Sequence, residues 1–247
     1  MRLETDEKVI NYIRRKIVDA RNIVAVLGIE MLTEGGGYDL DSNEETYRAE
    51  ELYGYTPEDM LSTSFFNAKV ERFYRFYKNE ILAMEVKPTA AYDALLTLQA
   101  RGKLSAVISQ NYHGIPQGIH FNKVIELNGN IHSNKCSHCN KIFGLDYMKN
   151  APGIPLCDIC NTAVRPNIRL IGERVDAKLM TEAENVCEAA DVLLIMGKNM
   201  YNDRPEYNSD PRRNQLKILF SQEKNLPDRR VDFVIHDEIQ LFLPAII

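Results

Sequence analysis

The chain has 247 residues, 45% of them hydrophobic and 26% charged, and its 30 basic and 35 acidic residues give a net charge of -5. Such a chain can bury a sizeable core, as one large domain or as a large domain carrying a small one. The acidic balance argues against nucleic acid or an anionic membrane as the main partner. We expect a cytoplasmic protein, because no apolar run reaches the roughly 20 residues that span a bilayer and the first ten residues lack the apolar stretch of a signal peptide.

The first half of the chain alternates helical and strand patterns. Residues 7–20 carry aliphatic side chains at helical spacing, and "NIVAVLG" predicts a short buried strand that ends at Gly28. Aromatic residues between 57 and 86 have a spacing that predicts helices packed on a core. A helix over "TAAYDALLTLQARG", ending near Gly102, is followed by the strand patterns "KLSAVISQN" and "NKVIELNG".

The second half continues the alternation after a cysteine-rich segment. A helix is predicted near 175–190, followed by the strand "DVLLIMG" and by the segments "KILFSQ" and "VDFVIHDEIQLFLP". Strands that alternate with helices indicate an α/β fold with a mainly parallel sheet. Ligands of such sheets gather at the carboxyl ends of the strands.

Four of the five cysteines form two close pairs. Cys136 and Cys139 are separated from Cys157 and Cys160 by seventeen residues, a spacing typical of a structural zinc site. Four sulfur ligands leave no open position for water or substrate, so a catalytic metal is not expected. The fifth cysteine, Cys187, lies in the helical segment "ENVCEAAD", which predicts a thiol on the core-facing side of a helix.

Five segments in order resemble the sirtuin family of NAD-dependent protein deacylases and ADP-ribosyltransferases. They are "SQNYHGI", "VIELNGNIHSNKCSHC", "VRPNIRLIGE", "ADVLLIMGKN" and "VDFVIHDEIQLFLP". The resemblance runs from about residue 8 to the C-terminus. It implies a Rossmann-like large domain formed by 1–131 and 166–247, and a zinc-ribbon-like small domain over 132–165. NAD and an acyl-lysine peptide, or another protein partner, would meet between them.

The resemblance also assigns site residues by position. The segment "GIEMLTEGGGYDLD" matches the family's glycine loop. From this segment and the motifs above, the resemblance implies two sets of residues. The cofactor-binding set is Gly28, Glu30, Asp39, Gln110, Asn111, Gly197, Lys198 and Asn199. The catalytic set is Asn111, His113 and Asn128.

Glu30 is the most disruptive departure in the cofactor set, because it stands where the family has a glycine. Glycine loops bind pyrophosphate through backbone amides with no side chain in the way. A carboxylate about 4 Å from a phosphate would cost on the order of 4 kcal/mol at an effective dielectric near 20, or roughly three decades in affinity. The penalty applies only if Glu30 points inward. Asp41 also replaces the loop's arginine.

Two departures fall on the chemistry. His113 occupies the place of an aspartate that holds the nicotinamide amide, and Asn128 occupies the place of the histidine base that deprotonates a ribose hydroxyl. An amide does not titrate near neutrality, and the loss of a general base removes a factor of about 10² to 10⁴ in rate. Asn128 could still form a hydrogen bond with a ribose hydroxyl.

Several functions remain open at this point. The first is a sirtuin-like scaffold with a degenerate pocket and little or no deacylase activity, in which NAD binding is doubtful and the cleft binds a nucleotide, a peptide or a protein. The second is an ADP-ribosyltransferase, since family members without the histidine transfer ADP-ribose. The third is a deacylase in which His113 serves as a substitute base. The fourth is a cleft with a new small ligand, cationic or rich in hydroxyls.

Overall fold

A six-stranded parallel sheet forms the larger part of the protein. The computed structural model describes residues 7–40, 42–116, 118–198, 204–207, 215–222 and 230–247. The strands of this sheet are β1 (Ile23–Leu27), β2 (Leu104–Ser109), β3 (Val124–Glu126), β7 (Val192–Met196), β8 (Leu216–Phe220) and β9 (Phe233–Ile235). Their order is β3-β2-β1-β7-β8-β9, with every neighbouring pair parallel. The order reverses beside β1, which is the topological switch point of a doubly wound fold.

Helices cover both faces of this sheet. Helices α1 (Glu7–Asp19), α7 (Ala90–Ala100) and α10 (Ile239–Ile246) pack on one face, and α9 (Ala177–Ala189) packs on the other. Alternate residues of β1 face opposite ways, since Ala25 lies in the first core and Val26 in the second. All five residues of β1 and of β7 are buried, as expected for central strands of a parallel sheet.

A second body of structure joins short helices to a small sheet. The helices are α2 (Glu30–Thr33), α3 (Asn43–Tyr53), α4 (Pro57–Met60), α5 (Thr63–Ala68) and α6 (Val70–Phe76), and a π-helical turn follows at Tyr77–Leu82. The small antiparallel sheet, in the order β5-β4-β6, consists of β4 (Ser133–Cys136), β5 (Ile142–Gly144) and β6 (Val164–Arg165), with α8 at Leu145–Asn150. A 3-10 turn at Pro205–Tyr207 lies instead against α9 of the larger part. One core unites helices α3 to α6 with the cysteine segment, because Phe73 and Tyr74 share it with Cys136 and Val164. Helix α2 is not part of it, since its Met31 lies in the core of the large sheet.

The structure confirms the α/β class and the main elements predicted from the sequence. The aromatic residues between 57 and 86 are core residues, and Cys187 is a buried thiol in α9. The small sheet lies within the segment predicted as a separate domain, but its core is shared with the short helices, so the boundaries at 132 and 165 stay a prediction. Among the described helices, none has the length and apolarity needed to cross a membrane.

Candidate functional site

The four paired cysteines converge on one point of the small sheet. Their Sγ atoms all lie within 4.8 Å of one another. Three of the separations are 3.5 Å for Cys136–Cys160, 3.6 Å for Cys139–Cys157 and 3.5 Å for Cys157–Cys160. A tetrahedron with Zn–S bonds of about 2.3 Å has sulfur atoms about 3.8 Å apart. The cluster can therefore hold a zinc ion with little movement, and the cysteines are free thiols rather than disulfides.

At the carboxyl edge of the large sheet, the loop after β1 lies directly against the loop after β7. The Gly28 amide donates to the Met196 carbonyl at 2.7 Å, and the Ile29 amide donates to the Lys198 carbonyl at 3.0 Å. A Cβ on Gly28 would lie 2.5 Å from that Lys198 oxygen. Glycine is required here by the approach of the two loops, and two amides of the glycine loop are engaged within the protein.

Glu30 points inward at this junction and is 7% exposed. Its Oε2 accepts a hydrogen bond from the Lys198 amide at 2.8 Å, and its Oε1 accepts one from the Ser221 hydroxyl at 3.0 Å. Gly197 has φ +94°, and a Cβ there would lie 1.7 Å from Glu30 Oε2. The carboxylate is thus held by groups at the ends of β7 and β8, in a space that only glycine at position 197 leaves open.

An ion pair lies at the same junction. The Lys198 Nζ lies 3.0 Å from Asp39 Oδ2, and both side chains are mostly buried. Asp39 therefore neutralises the lysine that stands in the cofactor set.

The loop after β2 carries the next part of the site. Asn111 Nδ2 donates to the Gly28 carbonyl at 2.8 Å, which ties this loop to the glycine loop. Asn128, 1% exposed, follows β3, and its Nδ2 donates to the Gln110 carbonyl at 2.6 Å. The backbone of Asn128 in turn accepts the Arg169 amide at 2.9 Å. The Asn128 side chain is therefore fixed, with its Oδ1 as an acceptor and no group that titrates near neutrality.

His113 is buried behind this loop. Its Nε2 is 3.0 Å from the Ile81 carbonyl, and since a carbonyl only accepts, Nε2 carries the proton. Nδ1 is buried without a hydrogen-bond partner in the described part of the chain. Burial lowers the pKa of His113 to about 4. So weak a base is poorly matched to proton abstraction at neutral pH, which argues against His113 as a substitute base.

Two cavities lie next to the hydrogen bond between Asn128 and Gln110. The inner cavity is lined by residues of the glycine loop, by Gln110, Asn111 and His113, and by Lys198, and it measures about 20 Å³. This is room for about one water molecule. The outer cleft measures about 800 Å³ and is lined by Asn128 together with the segment 167–169 and α9. Asn128 lines the outer cleft, and its hydrogen bond to the Gln110 carbonyl ties it to a residue that lines the inner cavity.

Glu34, in the same loop as Glu30, is directed the other way. Its Oε1 accepts the Ile239 amide at 2.6 Å, and its Oε2 accepts the Gln240 amide at 2.8 Å. Burial raises the pKa of Glu34, and these two backbone donors act in the opposite direction. Glu34 therefore caps α10 and serves the fold.

The structure places the predicted cleft residues around one junction. Gly28, Glu30, Asp39, Gly197 and Lys198 meet at the β1–β7 edge, and Gln110, Asn111, His113 and Asn128 lie beside them. Their roles in binding and catalysis stay predictions, and Asn199 and Asp41 lie outside the described residues. Sequence reasoning missed Ser221, although its position at the carboxyl end of the strand pattern "KILFSQ" was the available signal.

Comparison with known proteins agrees with these observations. Residues 33–201 match the sequence profile of the Sir2 family. The NAD-dependent protein deacetylase of Clostridium tetani is 34% identical over 237 residues, covering 95% of this chain and 96% of the relative. That of Clostridium acetobutylicum is 30% identical over 239 residues, covering 96% and 98%.

Solved structures show the same fold. A Sir2 complex with a p53 peptide and NAD+ superimposes with a TM-score of 0.80 at 25% identity over 94% of both chains. Sir2Tm bound to a propionylated peptide gives a TM-score of 0.81 at 24% identity over 96% of both chains. On the family profile and on these two deacetylase relatives, the chain belongs to the Sir2, or sirtuin, family.

Proposed function

We propose that this protein is a sirtuin that binds NAD in the inner part of the cleft and an acyl-lysine segment of a protein in the outer part, and that it deacylates slowly. The observation that carries the proposal is the fixed, non-titrating Asn128, which lines the outer cleft and is hydrogen-bonded to Gln110 of the inner cavity. It stands where the family's histidine acts as a base. The four-cysteine cluster would hold structural zinc.

The residues of the cleft support binding of both ligands. Gln110 and Asn111 match the family's motif, and Asn111 is held by the Gly28 carbonyl in the position that the fold requires. NAD-dependent deacetylases among the relatives make NAD the cofactor to expect. The outer cleft of about 800 Å³ is large enough for an extended side chain.

The chemistry of Asn128 limits the reaction. The Asn128 Oδ1 can accept a hydrogen bond from a ribose hydroxyl and orient it, but it cannot take up the proton. A missing general base lowers the rate by a factor of about 10² to 10⁴. We therefore expect the protein to bind NAD and peptide and to turn over at a rate lower by about that factor than the same chain with a histidine.

Restoring the base tests this proposal. Asn128→His should raise the deacylation rate of an acetyl- or propionyl-lysine peptide by about 10²-fold or more at saturating NAD. The matched control, Asn128→Ala, should remain as slow as the parent chain. The proposal fails if the parent is already as fast as Asn128→His, or if a purified chain that binds NAD by calorimetry gains nothing from the histidine. Transfer of radiolabel from NAD to protein by the parent chain would show an ADP-ribosyltransferase instead.

A further inference from the structure

The junction of strand ends beside the inner cavity is occupied by the protein's own carboxylate, that of Glu30. We propose that Glu30 acts as an internal anion that occupies the phosphate-binding position of the glycine loop and competes with the diphosphate of NAD or ADP-ribose. The proposal makes Glu30 the residue that sets nucleotide affinity. It rests on the proposed function, in that NAD is taken as the ligand of this cavity.

The contacts of Glu30 are those that a phosphate oxygen would make. Backbone amides and hydroxyl groups are the usual donors to phosphates at the switch point of a doubly wound sheet. Glu30 receives one of each, the Lys198 amide at 2.8 Å and the Ser221 hydroxyl at 3.0 Å. These donors lie at the ends of β7 and β8, next to the loop that follows β1. The carboxylate thus bridges three neighbouring strand ends.

The surroundings are shaped to accept this side chain. With 7% exposure, Glu30 is buried in an arrangement that a side chain on Gly197 would prevent, since a Cβ there would meet the carboxylate at 1.7 Å. A carboxylate that is removed from water needs hydrogen bonds to remain charged. The inward orientation of Glu30 therefore depends on the space that Gly197 leaves open and on the two hydrogen-bond donors.

The two loops are closed against each other beside Glu30. The neighbouring inner cavity, lined by Gly28, Ile29 and Lys198, measures about 20 Å³ and has room for about one water. The amides of Gly28 and Ile29 donate to the carbonyls of Met196 and Lys198, and the Lys198 side chain is paired with Asp39. A diphosphate can enter only when Glu30 leaves its donors and the two loops separate.

Calorimetry with nucleotides that differ in phosphate content tests the competition. Glu30→Gly should raise the affinity for ADP-ribose and NAD by up to about 1,000-fold, because it removes both the charge and the side chain. The isosteric Glu30→Gln removes the charge alone and should give an intermediate gain of about tenfold or more. Adenosine, which lacks phosphate, should bind all three chains with similar affinity. Glu51→Gln, on the exposed side of α3, is the matched control and should leave every affinity unchanged.

Two results would overturn the proposal. The first is an ADP-ribose affinity that does not change in folded Glu30→Gln and Glu30→Gly. The second is an equal gain for adenosine, which would mean that the variants only enlarge the cavity. Failure of the proposed function has a different signature, because it is read from turnover of Asn128→His at saturating NAD. Absence of ADP-ribose binding in every variant would overturn both.

Discussion

The cysteine cluster and the cleft at the β1–β7 edge differ in how closely their residues match the family's motifs. The four sulfur atoms of the cluster have the separations of a tetrahedral metal site. In the cleft, Glu30 and Asn128 are an acid and an amide at positions where the resemblance to the family implies a glycine and a base. On the proposed function, the metal-binding residues keep the family's motif while residues of the cleft depart from it.

Loss of zinc should have the largest effect, because the metal would fold the small sheet. We expect Cys139→Ser, or chelation of the parent chain, to remove on the order of 10 kcal/mol of metal-linked stability. Melting should extend to the aromatic helices, since Cys136 and Phe73 share one core. Metal content and circular dichroism during heating measure this. Cys187→Ala, a buried thiol outside the cluster, is the control, and a metal-free chain with an unchanged Tm would contradict the prediction.

Gly129 joins the two regions and tests whether their junction is rigid. It has φ +68°, and a Cβ there would lie 1.9 Å from the Asn167 carbonyl oxygen. Gly129→Ala should lower the free energy of unfolding by about 2–5 kcal/mol, because the alanine would be in a left-handed backbone conformation and would be overpacked. Gly54→Ala, also at positive φ but with nothing within 4 Å, should cost only the backbone part. If urea unfolding shows equal losses of stability for the two variants, the backbone around residue 129 moves to accommodate the added Cβ and the junction is not rigid.

The buried imidazole of His113 makes the free energy of unfolding depend on pH. Burial lowers the folded-state pKa of His113 to about 4, below the ordinary value of 6.5. Between these values the unfolded chain binds the proton and the folded chain does not, so stability falls as pH falls from 6.5 to 4. The contribution of His113 is on the order of 3 kcal/mol over this window.

His113→Gln should therefore lose less stability than the parent between pH 7 and 4.5, as measured by urea unfolding. His120→Gln, at an exposed position, should follow the parent curve. Identical slopes for His113→Gln and the parent would mean that the imidazole is not held neutral by the fold.

The smallest expected effect concerns the acid that links the short helices to the cleft loop. Glu80, 5% exposed, accepts hydrogen bonds from Tyr53 at 2.5 Å and from Tyr38 at 2.9 Å, and it pairs with Arg48 at 2.5 Å. Tyr53→Phe removes one donor to a buried carboxylate and should cost about 1.5–3 kcal/mol. Tyr47→Phe, 78% exposed, should cost nothing measurable in the same thermal unfolding assay.

The parts of this molecule that the sequence predicts well are those that depend on patterns between residues close together in the chain. The cysteine spacing places its ligands by itself, and the alternation of helices with apolar runs predicts the order of the sheet elements. The orientation of Glu30 could not be predicted, because it depends on Ser221, almost two hundred residues away in the chain. The low pKa of His113 likewise follows from burial against Ile81 in a π-helical turn, which no pattern around His113 indicates.

The capping of α10 by Glu34 has a consequence for how opening of the cleft could be followed. Glu30 and Glu34 lie one helical turn apart, and the second carboxylate holds the Ile239 and Gln240 amides. Solvent exchange of those two amides is therefore a remote reporter on the loop. If ligand entry displaces only the Glu30 side chain, deuterium uptake at the Ile239 and Gln240 amides stays slow. If the whole loop after β1 moves away, deuterium uptake at these amides becomes faster.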